Sequence, residues 1–371
     1  MPMNLEELQI ILIASLTAVA CALPGVFLVL RRMALMSDAM SHSILLGIVI
    51  GFFLVEDLAS PLLILGAGLS GLVMAMLVEA LSKTRMVKED AAIGLVFPAL
   101  FSTGVIMINL YAGNVHLDID AVLLGELVFA PFNTLIVAGV DIGPKALYVM
   151  LSLLLLNLLF IALFYKELKL STFDAGLAAS FGFLPGLMHY AFMGLVSMTA
   201  VGAFDTVGSI LVIALMIAPP ATAYLLTDDL VTMLGYSAGI GIFSAVSGFF
   251  IANSLDSSIA GCMATMTGIC FLVAFWCAPK RGMFVMIRRR RSQKLEFARG
   301  VLAVHLSHHA GSEEEHEECC EATLTDHIRW EPGFAEQVVA SALQVGLLVR
   351  ENGILKLTPD GLQLVDTIME Q

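Results

Sequence analysis

Residues 31–47 read Arg31-Arg32-Met33-Ala34-Leu35-Met36-Ser37-Asp38-Ala39-Met40-Ser41-His42-Ser43-Ile44-Leu45-Leu46-Gly47, and the apolar run continues to Val55. A basic flank followed by about 20 mostly apolar residues is the pattern of a membrane-spanning helix. Two ionisable groups interrupt it. Asp38 and His42 are four apart, so a helix puts them on one face. Such groups are costly in hydrocarbon and mark a pathway or a bundle interior. Carboxylate and imidazole are also ligands that manganese, iron and zinc accept.

The rest of the chain agrees with a membrane setting. Of its 371 residues, 58% are hydrophobic and 14% charged, with a mean hydropathy of +0.91. A water-soluble domain of this length has no means of burying so much apolar surface. Further apolar segments fall at 8–30, 60–81, 90–111, 145–165, 185–204, 206–226, 231–252 and 257–278. The stretch 121–138 is broken by Gly125, Glu126 and Pro131 and reads as a short or re-entrant helix. The expected fold is an all-α polytopic membrane protein of about eight or nine spans, with a small C-terminal α+β piece.

Charge settles the expected orientation. Arg31-Arg32, Lys83/Arg85/Lys88, Lys166/Lys169 and the basic run from Arg281 to Arg291 share one side if the spans alternate. Glu56-Asp57, Asp118/Asp120, Asp205 and Asp256 share the other. Positive charge is retained inside, so the N-terminus is expected outside the cytoplasmic (inner) membrane and the C-terminus in the cytoplasm. Asn4, Glu6 and Glu7 precede the first apolar run, which lacks the basic start of a cleaved signal peptide. The net charge of −13 argues against general nucleic-acid affinity. The six cysteines do not form a disulfide framework, and Cys21, Cys262, Cys270 and Cys277 lie in apolar spans.

Composition changes after Arg291, which divides the chain into residues 1–285 in the membrane and 286–371 in water. A helix-like segment, Leu295–His309, precedes an acidic loop, Gly311–Glu321. Helical patterns follow at Leu324–Trp330 and Phe334–Val345, the second closed by Gly346. Leu347–Arg350 and Ile354–Leu357 flank the turn Glu351-Asn352-Gly353 and read as a β-hairpin, and Pro359–Met369 reads as a last helix. Helices plus a hairpin form the pattern of a winged helix.

Two further stretches carry function or a plain structural role. Lys166-Glu167-Leu168-Lys169 through Phe173-Asp174-Ala175-Gly176-Leu177-Ala178-Ala179-Ser180-Phe181-Gly182 is an ordinary connecting loop or a docking helix for a cytoplasmic partner. Ala203 to Ala223, with Gly208 and the pair Pro219-Pro220, is a structural kink or part of a pathway. The Asp38/His42 pair could equally be an interfacial helix start with a local hydrogen bond, because two ligands do not complete a coordination shell.

In combination, these stretches resemble the permease subunits of the ABC transporter family for manganese, zinc and chelated iron. Residues 31–47 look like that family's arginine–Asp-x-x-Ser-His–Gly segment. Phe173-Asp174 with Ala178 and Gly182 is similar to its coupling region, and Val207-Gly208 through Pro220 to its Val-Gly-x-x-Leu-Val segment. His116 to Glu126 is similar to its external Leu-Phe-Gly stretch, with Leu124 in place of the aromatic, and Pro219 is an extra proline. The resemblance covers about residues 5–285. It implies two permeases around one pathway, two cytoplasmic ATPases docked on the coupling segments, and an external metal-binding protein. Asp38 and His42 would then form an intramembrane site for the transported divalent ion, completed by the partner permease. No resident cofactor is expected. The chain has no Gly-x-x-x-x-Gly-Lys-Ser/Thr loop, so ATP hydrolysis is expected on a separate subunit. Metal binding requires deprotonated ligands, so uptake is expected to weaken in acid.

The C-terminal piece resembles the DNA-binding half of DtxR-type metalloregulators at Gly346-Leu347-Leu348-Val349 and Leu357-Thr358-Pro359-Asp360-Gly361. Its candidate recognition helix offers Glu331, Glu336, Gln337 and Gln344 but no Lys or Arg, so DNA is not the expected partner. Self-association or ATPase regulation suits it better. His305, His308, His309, His316, Cys319 and Cys320 are candidate cytoplasmic metal ligands, or part of a flexible acidic linker. Two other classes remain open from sequence: a proton-coupled metal carrier, and a membrane-tethered metal-responsive DNA-binding regulator.

Overall fold

The computed structural model describes residues 4–55, 61–111, 127–137, 140–312, 315–321, 323–324, 328–351 and 353–369. The chain divides into two compact units, Met1–Arg281 and Gly282–Gln371.

The first unit is a helical bundle. Its elements are α1 (Leu5–Leu30), α2 (Ala34–Val55), α3 (Pro61–Lys83), α4 (Glu89–Tyr111), the strands β1 (Thr134–Val137) and β2 (Val140–Pro144), then α5 (Lys145–Leu163), α6 (Tyr165–Phe173), α7 (Ala175–Ser180), α8 (Pro185–Leu226), α9 (Leu230–Leu255) and α10 (Ile259–Cys277). Among the described residues, eight helices are long and apolar enough to cross a membrane. α1 is the enclosed centre, packed by α5, α8 and α9, while α2, α3 and α4 form a neighbouring group. Asn157 of α5 is fully buried and donates to Ala20 O (3.0 Å) while pairing with Thr199 of α8 (3.0 Å). This ties three helices where apolar packing alone supplies little specificity.

α8 spans 42 residues, but Gly208 has φ 78° and ψ 165°, outside the helical region. A residue with a side chain rarely adopts that φ. The chain folds back there. His189 meets Arg31 at 3.5 Å, and Met216 packs on Gly25, just inside the end of α1. In one straight helix His189 and Met216 would lie about 40 Å apart. The two apolar segments read as 185–204 and 206–226 are therefore the two arms of this broken element.

One expectation is corrected here. The described part of 121–138 is not helical. Residues 127–132 form turns and Thr134–Val137 pairs antiparallel with Val140–Pro144. Pro131 lacks an amide hydrogen for helix bonding, and β-branched Thr134, Ile136, Val137, Val140 and Ile142 favour extended backbone. Within Ala203 to Ala223, read as a kink or part of a pathway, the non-helical residue is Gly208, and the backbone stays helical through Pro219-Pro220. Pro220 leaves the Met216 carbonyl without its helical donor. Gly25 of α1 packs onto that carbonyl, where a Cβ would come within 2.9 Å of both its carbon and the Pro220 ring. The close helix crossing thus uses the surface that the proline exposes.

The second unit is α+β: α11 (Met283–His309), α12 (Glu315–Glu318), α13 (Pro332–Val345), the hairpin β3 (Leu348–Glu351) and β4 (Ile354–Leu357), and α14 (Pro359–Met369). α11 begins at Met283 and so takes in the basic run, which sequence reading left outside the helix starting at Leu295. α13 ends on Gly346 in the left-handed conformation. Leu302, Leu306, Val338, Val339, Leu348 and Leu355 form the core. Residues 325–327 of the helix expected at Leu324–Trp330 lie outside the described residues, as does the stretch His116 to Glu126.

Candidate functional site

α2 carries Asp38 about 6 Å and His42 about 12 Å along its axis from Ala34. Asp38 Oδ1 and His42 Nε2 are 3.4 Å apart, one turn from each other. Their side chains are 45% and 29% exposed, so the pair opens outward from the chain. The imidazole packs on Phe97 and Phe101 of α4, with ring centroids 5.3 and 6.2 Å away. Leu35, Ile50 and Leu54 are further exposed apolar residues of α2. The buried face carries Ser37, Ser41 and Ser43, whose hydroxyls donate to carbonyls of their own helix. Gly47 holds this helix against α3, since a Cβ there would come within 2.7 Å of Ser70 Oγ.

At the start of this segment, Arg31 links three elements. Its Nε donates to Thr172 Oγ1 (3.0 Å) and its Nη2 to Ser171 Oγ (3.2 Å), both on α6, and Nη1 lies 3.5 Å from His189 Nδ1 of α8. The guanidinium also sits 4.8 Å over the Phe192 ring. Burial pushes Arg31 down to about 10, which leaves it charged at neutral pH. In sequence Arg31 is an orientation marker and the first residue of the family-like segment 31–47. Nothing in its local pattern announces these partners, nor the aromatic wall of Phe97 and Phe101.

The α6–α7 corner has a defined local cause. Asp174 leaves the helical region and its Oδ1 accepts from Leu177 N at 2.9 Å, starting α7. Ala178 is fully buried, and Gly182 turns the chain with φ 85°. Phe173, Leu177, Phe181 and Leu184 are left exposed. At the far end of α8, Asp228 is paired with Lys280 (2.9 Å) and Arg281 (2.6 Å), and these cations hold its carboxyl below the usual range.

In the second unit, His305, His309 and Glu318 come together, whereas His308 and His316 are exposed. Cys319 is buried in the core and Cys320 bridges to Ile354. Burial, with Glu315 and Glu318 nearby, pushes the Cys319 thiol up.

Residues 5–278 match the family model described as the ABC 3 transport family. The chain belongs to this family. It is a multi-pass membrane permease subunit of an ATP-binding-cassette transport system, not the ATPase, and that system implies ATPase and binding-protein partners. Membership displaces the reading of the chain as a proton-coupled carrier. It is 48% identical over 363 residues to the zinc transport system membrane protein TroD of Treponema pallidum, covering 98% of this chain and 99% of that one. It is 47% identical to the manganese transport system membrane protein MntD of Bacillus subtilis, covering 79% of this chain and 99% of the other. The match to the first relative takes in nearly the whole chain, second unit included, whereas that to the second leaves about a fifth of this chain unmatched. Among solved structures, PsaBC from Streptococcus pneumoniae in complex with Fab is similar at a TM-score of 0.62 and 29% identity, covering 74% of this chain and 93% of that chain.

Proposed function

We propose that this permease imports a divalent transition-metal ion, Mn²⁺, Zn²⁺ or Fe²⁺, through a pathway it shares with a second permease chain. One observation carries the reading: an Asp–His pair, partly exposed on a helix that holds no other ionisable residue. Facing that pair to lipid would be costly. A second permease across this face would cover the pair and supply further carboxylate and imidazole ligands to the cargo. Relatives named for manganese, zinc and chelated iron transport support a metal cargo.

The fold-back at Gly208 supports nine crossings with the N-terminus external and the second unit cytoplasmic, the arrangement that keeps the basic loops inside. The exposed apolar corner of α6 and α7 is the docking surface for a cytoplasmic ATPase dimer. Arg31 joins that corner to the start of the site helix, so ATPase closure could tilt α2 and switch the side from which the ion is reached. An external binding protein would deliver the ion. The order of helices and hairpin in the second unit supports a winged-helix-like piece. The lack of Lys and Arg on α13 argues against a DNA reader.

The test is ATP-dependent uptake by the reconstituted permease–ATPase complex. Asp38→Ala and His42→Ala should each abolish uptake of all three ions while the complex still assembles. Normal accumulation in either variant removes the reading.

A further inference from the structure

α11 carries a second imidazole pair at helical spacing, His305 and His309, four residues apart on one face. Their ring centroids are 4.8 Å apart. Glu318 approaches from the other side of the acidic loop, with Oε2 3.5 Å from His305 Nε2. One ligand atom from each of the three residues lies within 4.8 Å of the other two. His305 and Glu318 are mostly enclosed, at 17% and 18% side-chain exposure.

We propose that His305, His309 and Glu318 bind a divalent transition-metal ion, zinc foremost, in the second unit. Two histidines at i and i+4 are a proven chelating pair on a helix. Adding one carboxylate gives a three-ligand zinc set with a fourth position open to water. Four-coordinate zinc with bonds of about 2.0–2.1 Å places its ligand atoms about 3.4 Å apart. The His305–Glu318 separation of 3.5 Å meets that spacing as it stands, with His305 Nε2 also 3.2 Å from the Glu318 carbonyl, and all three ligand atoms already lie within 4.8 Å of one another.

The surroundings hold the ligands in place, as a binding site requires. Leu302 and Leu306 anchor α11 in the core on either side of His305. Glu318 is fixed by its neighbour, because Cys319 is buried and its carbonyl accepts from Leu355 N of β4 at 3.0 Å. The ion would staple α11 to the loop that follows it. The plain alternative is a metal-free His305–Glu318 ion pair.

The assignment is independent of the transport reading, because its test uses full-length protein already carrying Asp38→Ala and His42→Ala. Co²⁺ is titrated into this protein in detergent, following ligand-field absorption, and Zn²⁺ is then used to displace it. One Co²⁺ should bind and be displaced. His305→Ala, His309→Ala and the near-isosteric Glu318→Gln should each weaken binding by at least about tenfold, while His308→Ala and His316→Ala leave it unchanged. Zn²⁺ should also raise the melting temperature of the parent but not of Glu318→Gln, which covers the case of an alanine variant that fails to fold. Absence of Co²⁺ binding in the parent overturns the assignment. So does unchanged affinity in Glu318→Gln, or loss of binding with His308→Ala or His316→Ala.

Discussion

Two histidine-containing pairs at i, i+4 spacing lie within long helices, Asp38/His42 on α2 and His305/His309 on α11, and the fold treats them differently. On α2, Asp38 and His42 open outward, with an aromatic wall on one side and no third ligand among the described residues of their own chain. On α11, His305 and His309 receive Glu318 from a segment pinned to the β-hairpin. The difference is one of completeness. An incomplete set that needs a partner chain can be assembled and dismantled as two permeases move, which suits an ion in transit. A set closed within one small unit suits an ion that is retained.

The sharpest way to break this contrast is to exchange the effects. Loss of the Asp38 carboxylate or the His42 imidazole should reduce ATP-driven metal uptake by at least about 100-fold, the scale of losing about 2.7 kcal/mol of binding. His305→Ala should leave uptake measurable under the same assay. If His305→Ala abolished uptake instead, the retained-ion reading of the second pair would fall.

Next in size is the link between the site helix and the docking corner. Arg31→Ala removes the hydrogen bonds to Ser171 and Thr172 and should lower metal-stimulated ATPase activity by about tenfold without removing metal binding. Asp174→Ala takes away the cap of α7 and should destabilise that turn by about 1 kcal/mol. Co-purification of the ATPase with each variant checks both, and unaltered coupling in Arg31→Ala would disconnect the two regions.

Smaller still, Asn157→Leu should lower the stability of the membrane unit by about 1 kcal/mol, read as a fall in thermal midpoint with no change in the metal preference of uptake. The least effect comes from Asp228. Its carboxyl is held below its ordinary value by Lys280 and Arg281, so its contribution is present above the ordinary carboxylate range. That contribution is lost as pH falls through the lowered value. Asp228→Asn should therefore flatten the acid limb of a stability profile below about pH 4, with only a small loss near neutrality because Asp228 and Lys280 are half-exposed or more.

The membrane fold was legible because hydropathy and loop charge are local properties. Each apolar run states its own need for lipid or protein cover, whatever its neighbours do. The Asp38/His42 pair was legible for the same reason, since a period of four on one helix needs no tertiary information. The segment after His116 was harder. Around Pro131 the chain is apolar enough to suggest a helix, yet a missing amide hydrogen and a run of β-branched residues lead to a hairpin. In Ala203 to Ala223 a kink was legible, but not which of Gly208, Pro219 and Pro220 carries it. Pro219-Pro220 marks a weakened helix, but the cost is met by the approach of α1 through Gly25, and the actual break falls at Gly208.

By itself the sequence determined that this is a polytopic membrane permease, where its apolar spans lie and which helix carries the Asp38/His42 pair. Only the tertiary structure decided that Arg31 clasps α6, that Phe97 and Phe101 wall His42, and that Glu318 rather than a cysteine joins the histidines of α11. The physical reason is range. Helical period and hydropathy act over a few residues along the chain, whereas a coordination shell or a helix-to-helix clasp joins residues that become neighbours only once the chain has packed.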